Sequence, residues 1–136
     1  MSNYIELKND PKLWDKIFIK EYLINAVREY FNNKEYHELI SPILSPMLPT
    51  ERYLDVIDAC VSDNKGNSKK YHLIPSTERY NKLALIAGLG NHYVISKVFR
   101  GLEETGRTHS HEFLMLEWYE LDHDYNDLMD TVEELL

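Results

Sequence analysis

The chain has 136 residues, 43% of them hydrophobic and 28% charged, and its 15 Lys+Arg against 23 Asp+Glu give a net charge of −8. That length supports one domain with a genuine core, while the acidic balance disfavours a stand-alone nucleic-acid binder, whose affinity comes largely from phosphate contacts. No apolar run is long enough for a membrane span, the polar start Met-Ser-Asn-Tyr-Ile-Glu is no signal peptide, and the single cysteine, Cys60, excludes an internal disulfide and fits a cytoplasmic location.

Asp10-Pro11 reads as a helix start, an N-cap followed by proline at the first helical position. Leu13, Ile17, Ile24, Val27 and Phe31 then recur at helical spacing, which predicts one long amphipathic helix from residue 11 to about 33, closed by Asn32-Asn33. The next stretch, Lys34 to Pro46, has strand composition broken by Pro42 and Pro46, hence an edge or a bulge. Residues 53 to 61 form a plausible strand, the turn composition of Asp63 to Ser68 follows, and Lys70 to Ile74 is the return strand. Cys60 in this hairpin is expected to be a small buried residue rather than a nucleophile.

Pro75-Ser76-Thr77-Glu78 opens a second helix, which Gly88 and Gly90 stop, and Glu78 sits where a first-turn acid suits the helix dipole. Tyr93–Phe99 and Glu112–Leu121 are rich in β-branched and aromatic residues and flank a polar loop with Gly101 and Gly106, a long hairpin. Asp124 caps a last helix with Leu128, Met129, Val132, Leu135 and Leu136 at helical spacing. Its acids have no basic residue near its C-terminal end, and without glycine or proline the helix reads as cut. The fold class expected is α/β (α+β): an antiparallel sheet centred on the long hairpin, with flanking helices.

The hairpin loop is dense in groups that suit a nucleotide. Arg100 and Arg107 offer planar forks for phosphate oxygens, His109 and His111 add donors, and Phe113 presents a face on which a purine could stack. Strand alternation puts Phe113, Met115, Glu117 and Tyr119 on one face, and a carboxylate on so apolar a face needs a partner or a ligand cation. An ordinary hairpin with a solvated, charged tip is the bland alternative.

The ordered series Phe99-Arg100, Gly106-Arg107-Thr108-His109, Glu112-Phe113 and Leu116-Glu117-Trp118-Tyr119 resembles motif 2 of class II aminoacyl-tRNA synthetases. It is most similar to the lysyl-tRNA synthetase group, and within it to the stand-alone relatives that attach lysine to elongation factor P. The segment from about 34 to 48 resembles motif 1, and 93 to 119 motif 2, so residues 1–136 read as a single partial catalytic domain of that family. The resemblance implies an ATP-dependent ligase, with ATP and Mg2+ as its cofactors, lysine or a similar amino acid as substrate, and tRNA or elongation factor P as acceptor. It implies a homodimer through motif 1 and protein biosynthesis in the cytoplasm, with no membrane partner.

Carried over residue by residue, Arg100 would hold the α-phosphate as the catalytic residue, Arg107 or His109 the γ-phosphate, and Phe113 would stack on adenine. Because Phe-Arg-x-Glu reads Phe-Arg-Gly-Leu-Glu here, the adenine-side glutamate is either shifted to Glu103 or lost, and Glu78 and Glu117 would face the amino acid. Glu35 stands where the family usually has glycine, Thr77 where its Ser-Pro-Glu segment has proline, and His-Ser-His-Glu-Phe where lysyl types often have His-Asn-Pro-Glu-Phe. Motif 3 and the carboxylates that usually hold magnesium do not occur in these 136 residues, which implies little activity for the chain by itself. A non-catalytic synthetase-like module, or half of a split enzyme needing a partner, is the alternative. A zinc site built on His109 and His111 with His123 or Cys60 is a minor one, since no paired ligand motif supports it.

Overall fold

A computed structural model describes residues 8–48, 54–101, 106 and 109–136, and they divide into two compact units: residues up to Glu35 together with His123–Leu136, and Tyr36–Asp122.

The first unit holds α1 (Pro11–Asn33) and the C-terminal helix, here α3 (Tyr125–Leu135). Asp10 caps α1 by accepting the Lys12 N–H at 3.0 Å, ahead of Pro11, whose missing donor is no loss there. At the other end Lys34 is the C-cap, and Glu35 takes φ 61°, the left-handed conformation that closes a helix and that glycine adopts freely. The backbone therefore keeps the turn of a glycine without having one. Glu35→Gly is expected to stabilise this unit by roughly 0.5–1 kcal/mol, a left-handed penalty of about 1–2 less glycine's own entropy cost. Denaturant unfolding of the two proteins measures it.

Asp124 caps α3, and Asp127 returns the bond in a capping box. The acids of α3 do find a basic partner, on α1 rather than in their own last turn. Lys34 Nζ pairs with Glu134, and Tyr30 Oη donates to Glu134 Oε2 at 2.9 Å. Lys34, and secondarily Tyr30, hold the Glu134 carboxyl below the usual carboxylate range, and Glu134 raises Lys34. A depressed carboxyl contributes stability above its ordinary pKa and loses it as pH falls through the folded value. The Glu134 carboxyl carbon is expected to titrate by NMR below the ordinary value of about 4.3 and to move back toward it in Lys34→Met, with Tyr30 keeping part of the shift.

In the second unit the motif-1-like segment divides between two sheets. Its first strand, β1 (His37–Glu38), runs parallel to β5 (His92–Phe99), which pairs antiparallel with β6 (Glu112–Tyr119) along its whole length. Its second, β2 (Leu44–Ser45), joins β4 (Ser68–Leu73), which pairs with β3 (Asp58–Ser62). Two-residue strands separated by Pro42 have no periodicity of their own, so a single interrupted strand was the natural expectation. The sheets meet where the chain leaves β4: the Ile74 N–H donates to Ile43 O at 3.0 Å and the Phe99 N–H to Ile74 O at 2.8 Å. Tyr36, Ile74, Tyr93, Val94 and Val98 make the unit's buried apolar core.

The turn between β3 and β4 is built on Asp63, whose Oδ1 accepts the N–H groups of Lys65 and Asn67 at 2.8 and 2.9 Å. Cys60, expected to be buried, is exposed. It lies on β3, the edge strand of its sheet, opposite Lys70 toward the hairpin tip.

Candidate functional site

Helix α2 (Glu78–Ile86) packs against β5 and β6 and sets the site. It stops in a glycine-closed turn: Gly88 takes φ 88°, its N–H donates to Leu85 O at 2.9 Å, and the Leu89 N–H reaches Ala84 O at 3.0 Å. Its start is unusual. Thr77 is the N-cap, yet its hydroxyl makes no cap bond to the helix backbone and instead accepts from Asn81 Nδ2 at 2.9 Å.

That hydroxyl belongs to a network ending on Glu117. The Thr77 N–H donates to Glu117 Oε1 at 2.9 Å, and Asn81 Nδ2 donates to Glu117 Oε2 at 3.1 Å. Glu117 lies opposite Val94 in the hairpin, so its carboxylate leaves an apolar strand and is met by the first turn of a helix, where backbone donors and the dipole favour negative charge. Thr77 and Asn81 are both fully buried, and Asn81 Oδ1 has no hydrogen-bond partner, which costs about 1–3 kcal/mol. On the same hairpin face the rings of His92 and Tyr119 stack at 5.6 Å, and Val98 lies opposite Phe113.

At the other end of the hairpin the Arg100 guanidinium sits over the Phe113 ring, 5.2 Å from its centroid, and its Nε donates to Pro75 O at 3.3 Å. The backbone closes around it, with the Arg100 N–H donating to His111 O and the His111 ring Nδ1 2.9 Å from Arg100 O. The Gly101 N–H donates to Asp55 O at 2.9 Å, and a Cβ on Gly101 would lie 2.0 Å from the exposed Asp55 carboxylate, which would have to turn aside. Phe113 and Glu117 are four residues apart on one strand face, roughly 13 Å at about 3.4 Å per residue.

The residues singled out in the sequence are thus distributed unevenly. Arg100 and Phe113 stack, and Glu117 is tied to the start of α2. The Glu78 carboxylate pairs with Lys82 and lines a hollow of about 380 Å³ together with Met47, His72, Ile74 and Leu83. His109 is exposed at the return of the loop, and Arg107 and Glu103 lie outside the described residues. Among the described residues no three His, Cys, Asp or Glu side chains converge to hold a metal ion, which leaves the zinc reading without a site. Asn81 was missed by sequence reasoning. The signal available was a helix-interior asparagine four residues after Thr77, spacing that puts the two on one helix face.

The family model for class II tRNA synthetases (D, K and N) matches residues 1–136. The chain belongs to this family. Among class II proteins, one named elongation factor P–(R)-beta-lysine ligase from Photobacterium profundum is 36% identical over 115 residues, 84% of this chain and 35% of that protein. Proteins of the same name from Vibrio campbellii and Actinobacillus succinogenes are 36% and 34% identical, over 84% and 90% of this chain. The chain spans a little over a third of the length of these curated relatives. As a class II segment it is a mixed α/β structure with the long antiparallel hairpin expected of it.

Proposed function

We propose that this chain supplies the nucleotide-facing and part of the amino-acid-facing wall of an ATP-dependent ligase that activates lysine or a β-lysine and transfers it to elongation factor P. The observation that carries this reading is the hairpin itself, which presents Arg100 stacked on Phe113 at one end and Glu117 held by α2 at the other. The relatives' names support the substrate and the acceptor. tRNA, the other acceptor considered, fits less well with a net charge of −8.

In the first half-reaction the amino-acid carboxylate oxygen attacks the α-phosphorus of ATP, and the bond to the β-phosphate oxygen breaks to release pyrophosphate. In the second, an acceptor amine attacks the acyl carbon, AMP leaves, and the amine gives up a proton. Such chemistry needs positioning and neutralisation of phosphate charge more than a strong base. Arg100 neutralises the α-phosphate and Phe113 stacks on adenine, while Glu117 receives an ammonium group of the amino acid. Arg107 and His109 are assigned to the γ-phosphate, Glu103 to the adenine side and Glu78 to the amino acid. The family implies magnesium, but no acidic cluster among the described residues fits that ion.

The test is lysine-dependent exchange of labelled pyrophosphate into ATP, followed by transfer to purified elongation factor P. Exchange that needs another amino acid, or transfer to tRNA alone, would displace the reading. We also propose that the protein dimerises through α1 and the motif-1-like segment. Phe18, Tyr22 and Leu23 of α1 are exposed, as are Met47, Leu48 and Ile40, the last 90% exposed, and an apolar surface of this kind needs covering. Light scattering should give a dimer mass, and a concentration-independent monomer would count against it.

A further inference from the structure

We propose that Thr77 and Asn81 are positioning residues that clamp the Glu117 carboxylate for a substrate ammonium group, an inference that rests on Glu117 facing the amino acid. A glutamate leaving an apolar strand face can swing among rotamers, and an ammonium needs its oxygens in one place. Here each oxygen has its own donor: the Thr77 backbone N–H at 2.9 Å on Oε1 and the Asn81 side-chain amide at 3.1 Å on Oε2. The same amide nitrogen donates to Thr77 Oγ1 at 2.9 Å, which fixes which way the Asn81 amide is turned. Two bonds leave roughly half of the carboxylate's acceptor capacity for a ligand.

The clamp has the marks of a functional rather than a stabilising device. Asn81 is 0% exposed and its Oδ1 is buried without a partner, an arrangement that an apolar residue at this position would avoid. Thr77 gives up the usual N-cap bond to the helix so that its hydroxyl can hold Asn81. Its backbone contribution is particular to this chain, because the proline that the family has at this place carries no N–H to donate. Both donors come from the first turn of α2, so the placement of Glu117 is set by a helix and not by a loop.

Calorimetric titration of L-lysine and, separately, of a non-hydrolysable ATP analogue into the full chain tests the clamp, with thermal midpoints measured alongside. Asn81→Leu is expected to weaken lysine tenfold or more, to leave nucleotide affinity within twofold, and to keep or raise the midpoint. Equal loss of lysine and nucleotide with a lowered midpoint in Asn81→Leu, or wild-type lysine affinity in that variant, would overturn the proposal. Amide exchange reads the contact without any ligand: the Thr77 N–H should be protected in the wild type and lose protection in Glu117→Ala. Protection combined with no lysine binding by the wild type would show that the clamp holds and that the ligand assigned to Glu117 is wrong. Thr77 exchange equally fast in both proteins would remove the clamp itself.

Discussion

Arg100→Ala is expected to reduce ATP affinity by one to two powers of ten while lowering stability by no more than about 1 kcal/mol. The asymmetry follows from where the side chain is held. Its guanidinium is fixed by the Pro75 carbonyl and by the Phe113 face, contacts made before any nucleotide arrives. A charge-assisted hydrogen bond to a phosphate oxygen is worth about 1.5–3 kcal/mol when removed, whereas a partly exposed cation–π contact contributes only about 0.5–1. Arg100→Lys should recover part of the loss, since it restores the charge but neither the planar fork nor the stacking. Cys60→Ser, on the far edge of the other sheet, should bind like the wild type. ATP titration and melting curves on the same preparations decide the matter, and Arg100→Ala binding within threefold of wild type would reject the assignment.

The residues that carry this argument were legible in the sequence for one physical reason: the hairpin is long. Eight residues on each strand define two faces through the strand period of two, which alone puts Phe113 and Glu117 on the same side. The bounds of α1 were equally open to reading, because Asp10-Pro11 and Asn33 are end signals with local causes. Glu35 shows that a departure from glycine need not alter a conformation, since the backbone keeps φ 61° and accepts the strain. What could not be read depended on contacts between distant segments. The motif-1-like stretch divides between two sheets because its partners are β5 and β4, and nothing in ten residues of chain announces that. Cys60 looked like core by its neighbours' composition, but an edge strand leaves it exposed. The partnership of Glu117 with Thr77 and Asn81 spans 40 and 36 positions of sequence, and Glu78, a neighbour of Thr77, turns to Lys82 instead.

Glu117→Gln and Glu117→Ala are expected to separate the charge of this residue from its place in the structure. In Glu117→Gln the carbonyl oxygen can still accept the Thr77 N–H, and the new amide group faces Asn81. A flip of the Asn81 amide then presents Oδ1, the atom now without a partner, to the glutamine N–H, and the Thr77 hydroxyl can rotate to donate. The flip leaves Nδ2 in the place where Oδ1 now has no partner, so stability should be close to wild type or slightly below it. Binding should not survive so well, because the ammonium would lose its charged acceptor. Removing one member of a partly buried charge pair costs about 3 kcal/mol, or roughly a hundredfold in lysine affinity. In Glu117→Ala no flip can rescue the Thr77 N–H, so two buried donors lose their acceptor and the unfolding free energy should fall by about 2–5 kcal/mol. Lysine titration and denaturant unfolding of the two variants make the comparison. Glu117→Gln that binds lysine within threefold of wild type would remove the ammonium from this carboxylate, and Glu117→Ala as stable as the wild type would show that the helix start does not depend on it.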